Sequence, residues 1–346
     1  MHPIKNAVIQ LFGKFYWHDK IQSKVKQDIA ETTLSIPGDI KNIASEYKVS
    51  GNDKVSTRQR DDIIFITSRF RSGSTLLWNL FREVGGCTSY YEPFNERQWF
   101  NKALRGDDVD SSHRGVDDYW AEYDGLERLS DFYKEDWIHA NLYMTEKSYD
   151  INMLNYIDTL IEHTDERPVL QFNRIDFRLG WLRANYPNAT VLHLYRHPRE
   201  QWCSFLINKD EVTKDNVTKT YKDGFYLDVW CKDLAPYFPM LDLKQTPHPY
   251  QRFYFLWKLS WLWGKHFAHY SVSFEDLVTD TEKTISELMS NVGIDADVGR
   301  VSQLISAPKL NNWENFASDE WFAAHEKICE DVLTSFFYKT SIRIRN

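Results

Sequence analysis

Ser68-Arg69-Phe70-Arg71-Ser72-Gly73-Ser74-Thr75 concentrates residue types that suit an anion. Arg71 is a permanent cation. Ser72, Ser74 and Thr75 carry hydroxyl donors, and Gly73 lets the backbone approach a ligand closely. The helical pattern Leu76–Phe81 follows at once, so the free N–H groups of a helix N-terminus add their dipole to the site. No G-x-x-x-x-G-K-S/T loop occurs in the chain, and Gly13-Lys14 and Gly264-Lys265 are each followed by neither Ser nor Thr. The lysine that reaches the terminal phosphate of ATP is therefore missing, as is a clear magnesium-binding set. By itself, such a loop serves equally well as structural punctuation.

A second set lies in Thr190–Phe205, TVLHLYRHPREQWCSF. Arg196 ends an apolar run, and Ser204 follows eight residues later. An Arg at the carboxyl edge of a strand faces the crevice where open α/β sheets bind ligands. Together with a helical hydroxyl it suits a second, separate phosphate. Alone, the same pair reads as a surface salt bridge and an ordinary helical Ser.

The elements that must position these residues are legible around them. Ile63–Thr67 is apolar without a break, the pattern of a parallel strand buried on both faces. Asp61–Ser68 is thus expected as the first strand and Ser74–Val84 as the first helix, capped by Gly85-Gly86. Cys87–Tyr91 is the second strand, so that a βαβ unit fits within Asp61–Tyr91. Further strands are expected at Pro168–Asn173, Thr190–Tyr195 and Tyr270–Phe274, and helices at Ile151–His163, Arg178–Tyr186, Arg199–Ile207, Tyr250–Tyr270 and Thr281–Val292. This alternation predicts an α/β fold with a central parallel sheet flanked by helices. Residues 1–60 read as an N-terminal helical and linker extension, in which Phe12, Phe15, Tyr16 and Trp17 could dock on a body spanning 61–346. Residues 95–150 and 208–246 read as lid or substrate loops, and 296–346 as helical with an irregular centre at Pro308–Phe316.

Composition narrows the class. The formal charge is −8, which excludes a general nucleic-acid binder. Cys87, Cys203, Cys231 and Cys329 are far apart with no C-x-x-C spacing, so free thiols in a reducing, cytoplasmic compartment are expected, without a zinc site. No apolar run of about 18 residues offers a membrane span, and the start of the chain lacks the pattern of a signal peptide.

Taken together, the motifs resemble the sulfotransferase family that uses 3′-phosphoadenosine 5′-phosphosulfate. Arg71-Ser72-Gly73-Ser74-Thr75 is similar to the family's 5′-phosphosulfate loop, especially as found in carbohydrate and tyrosylprotein sulfotransferases. Leu194-Tyr195-Arg196-His197-Pro198 through Ser204 resembles its 3′-phosphate motif. Phe172-Asn173-Arg174-Ile175-Asp176 and Ser273-Phe274-Glu275-Asp276-Leu277 resemble the block before that motif and a late strand-to-helix element. The resemblance covers about 60–290. It implies a nucleotide-kinase-like P-loop sheet and a sulfuryl transfer that needs no metal.

For the site, the resemblance implies that Arg71, Ser72, Gly73, Ser74, Thr75, Arg196 and Ser204 hold the nucleotide, with Trp313 stacking on adenine or only anchoring the tail. Glu92, in Tyr91-Glu92-Pro93-Phe94, stands where relatives carry a functional Glu and is the expected general base. Glu96 competes with it locally, pairing of Glu92 with Arg97 or Arg71 is the bland alternative, and His113, His193 and His197 are weaker candidates. Arg71 and Arg174 are the expected electrostatic catalysts. Relatives often show Lys before Asp-Pro where this chain has Arg174-Ile175-Asp176, which keeps a clamp but loses a proton donor. The implied acceptor is a hydroxyl, before an amine, on a carbohydrate, glycolipid or small molecule. A kinase of the same fold and a silent protein binding 3′-phosphoadenosine 5′-phosphate are the competing readings. The oligomeric state is not encoded in any feature of the sequence.

Overall fold

The computed structural model describes residues 57–345 other than 112, 114 and 306–309. The expected docking of Phe12, Phe15, Tyr16 and Trp17 lies outside the described residues. The last residues of the expected extension are tied to the body rather than free. Arg58 forks onto Asp158 at 2.7 and 2.9 Å, and Thr57 donates to Glu162.

Strand β1 is Ile64–Thr67 and helix α1 is Ser74–Val84, ending at Gly85 with φ 87°. Strand β2 is Cys87–Tyr91. The described residues of 95–150 then run as loops and short 3-10 turns. Helix α2, Ile151–Glu162, starts where the Asp150 carboxylate accepts from the N–H groups of Asn152 and Met153. Next come β3, Arg167–Phe172, α3, Leu179–Asn185, β4, Thr190–Tyr195, and α4, Pro198–Phe205, with Pro198 in its first turn.

The stretch 208–246, expected as irregular, contains two short helices, α5 (Val217–Thr220) and α6 (Leu227–Leu234). Leu227, Trp230, Cys231 and Leu234 of α6 are buried, so this part of the expected lid or substrate loop is packed on the body. Helix α7, Pro249–Phe267, leads into β5, Tyr270–Ser273, followed by α8, Phe274–Thr279, α9, Thr281–Val292, α10, Val298–Ser302, and the long α11, Asp319–Arg345.

All strand pairs are parallel, in the order β2-β3-β1-β4-β5. Successive residues of β1 face opposite sides. Ile63 and Phe65 pack with α2 and α3, while Ile64 and Ile66 pack with α1, α8 and α9. Each of these four side chains is at most 1% exposed. Burial of each stabilises the fold by about 1.5–3 kcal/mol. A third apolar cluster joins α4, α6, α7 and α11.

The order corrects one expectation. β2 does not lie beside β1, because β3 is inserted between them. The carboxyl end of β3, which carries Asn173 and Arg174, therefore stands between the loop after β1 and Glu92 after β2.

Candidate active site

A cavity of about 640 Å³ opens at the carboxyl ends of the strands. Its wall includes Arg71, Gly73, Ser74 and Thr75 from the loop after β1, Glu92 after β2, Arg174 after β3, and Arg196 and Ser204 from the β4–α4 segment. The topology thus gathers eight of the expected site residues around one space.

The loop after β1 is a closed turn. The backbone N–H and the hydroxyl of Ser72 both donate to the Arg69 carbonyl, at 3.2 and 2.7 Å. Ser72 is therefore turned into the protein and its hydroxyl does not reach the cavity. Gly73 has φ 93°, and a Cβ there would lie 2.3 Å from the Phe274 ring, so both conformation and space demand glycine. α1 begins immediately after it, and its first N–H groups have no partner within the helix. Arg69 is buried, paired with Asp176 at 2.7 Å and stacked over Trp230.

Arg71 sits at φ 65°, in the left-handed region. Its Nε donates to both the carbonyl and the Oγ of Ser204 at 3.1 Å, and Arg196 Nη1 donates to the Arg71 carbonyl at 3.2 Å. The two expected phosphate grips are thus in direct contact. Arg196 also lies over Phe274 and pairs with Glu200 at 3.3 Å. Its Nε is buried with no hydrogen-bond partner among the described residues.

Glu92 has φ 39° and is 4% exposed. Backbone strain of this kind is held only where surrounding contacts over-determine it. Here the Asn173 amide donates to Oε1, while Arg174 Nη1 at 2.7 Å and Asn95 Nδ2 at 2.8 Å donate to Oε2. The partner of Glu92 is therefore Arg174, not Arg97 or Arg71. Glu96, half exposed, takes the other fork of Arg174. The Arg174 guanidinium lies 4.8 Å from the Phe70 ring centre and 5.8 Å from that of Tyr226.

Elsewhere in the lining, Thr75 Oγ1 is 2.9 Å from the Tyr91 hydroxyl and 3.3 Å from His113 Nε2. His113 Nδ1 is 2.6 Å from the Tyr119 hydroxyl. Burial, aided by the repulsion of Arg71 and opposed by Asp110, lowers the His113 pKa. His193 lies inside β4 against Ser271, far down its range at about 3, through burial and then Lys265. The His197 backbone N–H donates to Glu275.

Trp313 does not line the cavity. It lies under Arg199 at 4.8 Å and edge-on to Phe322, within the α4–α11 packing. Sequence reasoning passed over Asn95, Asn173 and Tyr91 as site residues, and also Gly224, Phe225 and Tyr226 from the expected lid. For Asn173 the signal was present, since the first polar residue after an apolar parallel strand stands at the ligand edge. Tyr226, in the left-handed region at φ 62°, left no sequence signal of that kind.

The sequence matches a family model described as the sulfotransferase family over residues 62–297. No curated protein matches it. Among solved structures, a sulfotransferase from Mycobacterium tuberculosis, STF1, is similar at 14% identity and TM-score 0.39, over 78% of this chain and 76% of that one. A retinol dehydratase in complex with androsterone and inactive cofactor PAP is similar at 15% identity and TM-score 0.35, over 79% and 81%. The sulfotransferase domain from the curacin biosynthetic pathway is similar at 16% identity and TM-score 0.32, over 80% and 98%.

Proposed function

The chain belongs to the sulfotransferase family, and on that premise we propose that it moves a sulfuryl group from 3′-phosphoadenosine 5′-phosphosulfate to a hydroxyl on a carbohydrate or glycolipid acceptor. The observation that carries this reading is the shared cavity, whose lining includes Arg71 in contact with both Ser204 and Arg196, and the Glu92–Arg174 pair. The buried, unpartnered Nε of Arg196 fits a phosphate oxygen as its missing acceptor.

In this reading the bound nucleotide supplies the sulfuryl group and the leaving phosphate. Arg71 and the first N–H groups of α1 hold the 5′ end, where negative charge grows as the bond to sulfur breaks. Arg196 and Ser204 hold the 3′-phosphate. Glu92 accepts the proton of the acceptor hydroxyl as its oxygen bonds to sulfur. Arg174 steadies the Glu92 carboxylate through one nitrogen. Its second nitrogen exchanges the half-exposed Glu96 for a sulfuryl oxygen. Phe225 and Tyr226 form an aromatic wall on which a sugar face packs.

Calorimetry with 3′-phosphoadenosine 5′-phosphate and with ATP–magnesium tests the nucleotide assignment. Binding of the bisphosphate is expected. Tight binding of ATP alone contradicts it and favours a kinase. Transfer of labelled sulfate to a panel of sugars, glycolipids and amines tests the acceptor class, and labelling of amines alone contradicts the hydroxyl assignment.

A further inference from the structure

Gln171 is a primary amide inside the sheet core. It is 0% exposed, sits between Ile66 of β1 and Tyr91 of β2 in the register, and follows the apolar pair Val169-Leu170. Burying an amide without partners costs about 1–3 kcal/mol, so its position demands a reason. Its Nε2 donates to Asn173 Oδ1 at 2.9 Å and to Ser68 Oγ at 3.2 Å, and Ser68 Oγ itself donates to Asn173 Oδ1 at 2.9 Å. Asn173 Nδ2 then donates to Glu92 Oε1. Ser68 and Asn173 are also buried.

The direction of this chain is forced from its far end. An ionised carboxylate only accepts, so Asn173 must present its N–H to Glu92. Its oxygen then points back into the sheet, where only a donor is tolerated. Gln171 and Ser68 are those donors. Among the described residues, Arg174 and Asn95 donate to Glu92 Oε2 and Asn173 donates to Oε1, and the Tyr91 hydroxyl also reaches the Glu92 side chain. Oε1, which has fewer donors placed on it, is the oxygen with a lone pair for an incoming proton.

We infer that Gln171 is a positioning residue for the transfer reaction: with Ser68 it locks the Asn173 amide so that its N–H donates to Glu92 and leaves one defined Glu92 oxygen to receive the acceptor's proton. This rests on the reading of Glu92 as the base. Without those two donors the Asn173 amide is free to turn over, which brings its oxygen against Oε1 and disfavours the ionised carboxylate. Among the described residues, the other charged or titratable groups facing Glu92 are Arg174 after β3, Tyr91 and Glu96 on its own segment, and His113, Tyr119 and Tyr123 from the stretch after β2.

The test is a double-mutant cycle in the full chain, with kcat, both KM values and the pH profile as readouts. Gln171→Leu is expected to lower kcat by roughly tenfold, to leave both KM values unchanged and to move the acidic limb of the profile to higher pH. In an Asn173→Ala background the same change is expected to cost nothing further, because its effect runs through Asn173. Ser68→Ala, which removes only a hydroxyl, runs the same comparison if Gln171→Leu does not fold. Binding of 3′-phosphoadenosine 5′-phosphate verifies that each variant is folded. An equal loss in both backgrounds, or a loss with the acidic limb unmoved, assigns Gln171 to core packing and overturns the inference. Full turnover in Glu92→Gln removes the base and this inference together. An inactive Glu92→Gln beside a Gln171→Leu of native kcat and pH profile removes the inference alone.

Discussion

Arg174 Nη1 lies 2.7 Å from Glu92 Oε2, and both side chains are almost wholly buried. Its second terminal nitrogen reaches Glu96, so one guanidinium serves two carboxylates at the junction of β2 and β3. The relationship exists because β3 is inserted between β1 and β2.

Arg174→Ala leaves the buried Glu92 carboxylate without its cation. A loss of about 3–5 kcal/mol is expected in urea unfolding, the usual cost of removing one partner of a buried pair. Arg174→Lys keeps the charge but cannot fork onto both carboxylates. It is expected to retain most of that stability while losing turnover. Equal stability of Arg174→Ala and the native chain contradicts the assignment.

The contact between Arg71 and Ser204 predicts a graded loss of nucleotide affinity. Arg71→Ala and Arg196→Ala are each expected to weaken 3′-phosphoadenosine 5′-phosphate binding by tenfold or more, the scale of a lost charge-assisted contact. Ser204→Ala removes a neutral hydroxyl and is expected to cost roughly fivefold. Calorimetry orders the three, and native affinity in Arg196→Ala rules out a second phosphate grip there.

Gly73 answers to Phe274. At φ 93° and with the ring 2.3 Å from a Cβ, Gly73→Ala is expected to lower stability by about 1–3 kcal/mol and to weaken nucleotide binding. Adding Phe274→Leu is expected to recover part of the steric share, because φ remains unfavourable. A melting temperature of Gly73→Ala equal to the native one contradicts this expectation.

His193 makes stability depend on pH. Burial, then Lys265, holds its folded pKa near 3, against 6.5 ordinarily. The unfolded chain takes up that proton first, so the contribution is complete above about pH 6.5 and is lost as pH falls from there toward 3. Urea midpoints at pH 7 and pH 5 are expected to differ less in His193→Gln than in the native chain. An unchanged difference shows that His193 is not the source of the pH dependence.

Much of the frame was legible because its signals are local. The boundaries of α1, β2, β4 and α9 follow from apolar runs and Gly or Pro punctuation, and Arg71 and Arg196 sit just past strand ends, with Ser204 in the last turn of the helix that follows Arg196. Strand order is not local. Nothing in Asp61–Tyr91 announces that β3 will enter between β1 and β2, so the Glu92–Arg174 pair was out of reach. The inward turn of the Ser72 hydroxyl was not legible, because whether a hydroxyl in a tight turn satisfies the nearest carbonyl depends on the turn's geometry. For Trp313 the sequence left stacking and tail anchoring open, and its contacts with Arg199 and Phe322 are a tertiary fact. The helices within 208–246 went unread because α6 is only eight residues long and its buried face is defined by tertiary contacts, with α4, α7 and α11 and with Arg69 in the loop after β1.

If Glu92 is the group that takes the acceptor's proton, Glu92→Gln is the variant that exposes it most directly. The amide keeps the shape of the side chain but not its basicity. Binding of 3′-phosphoadenosine 5′-phosphate is expected to stay near native while kcat falls by roughly 10²–10⁴-fold, the range of a lost general base. Native turnover with native binding would contradict that role.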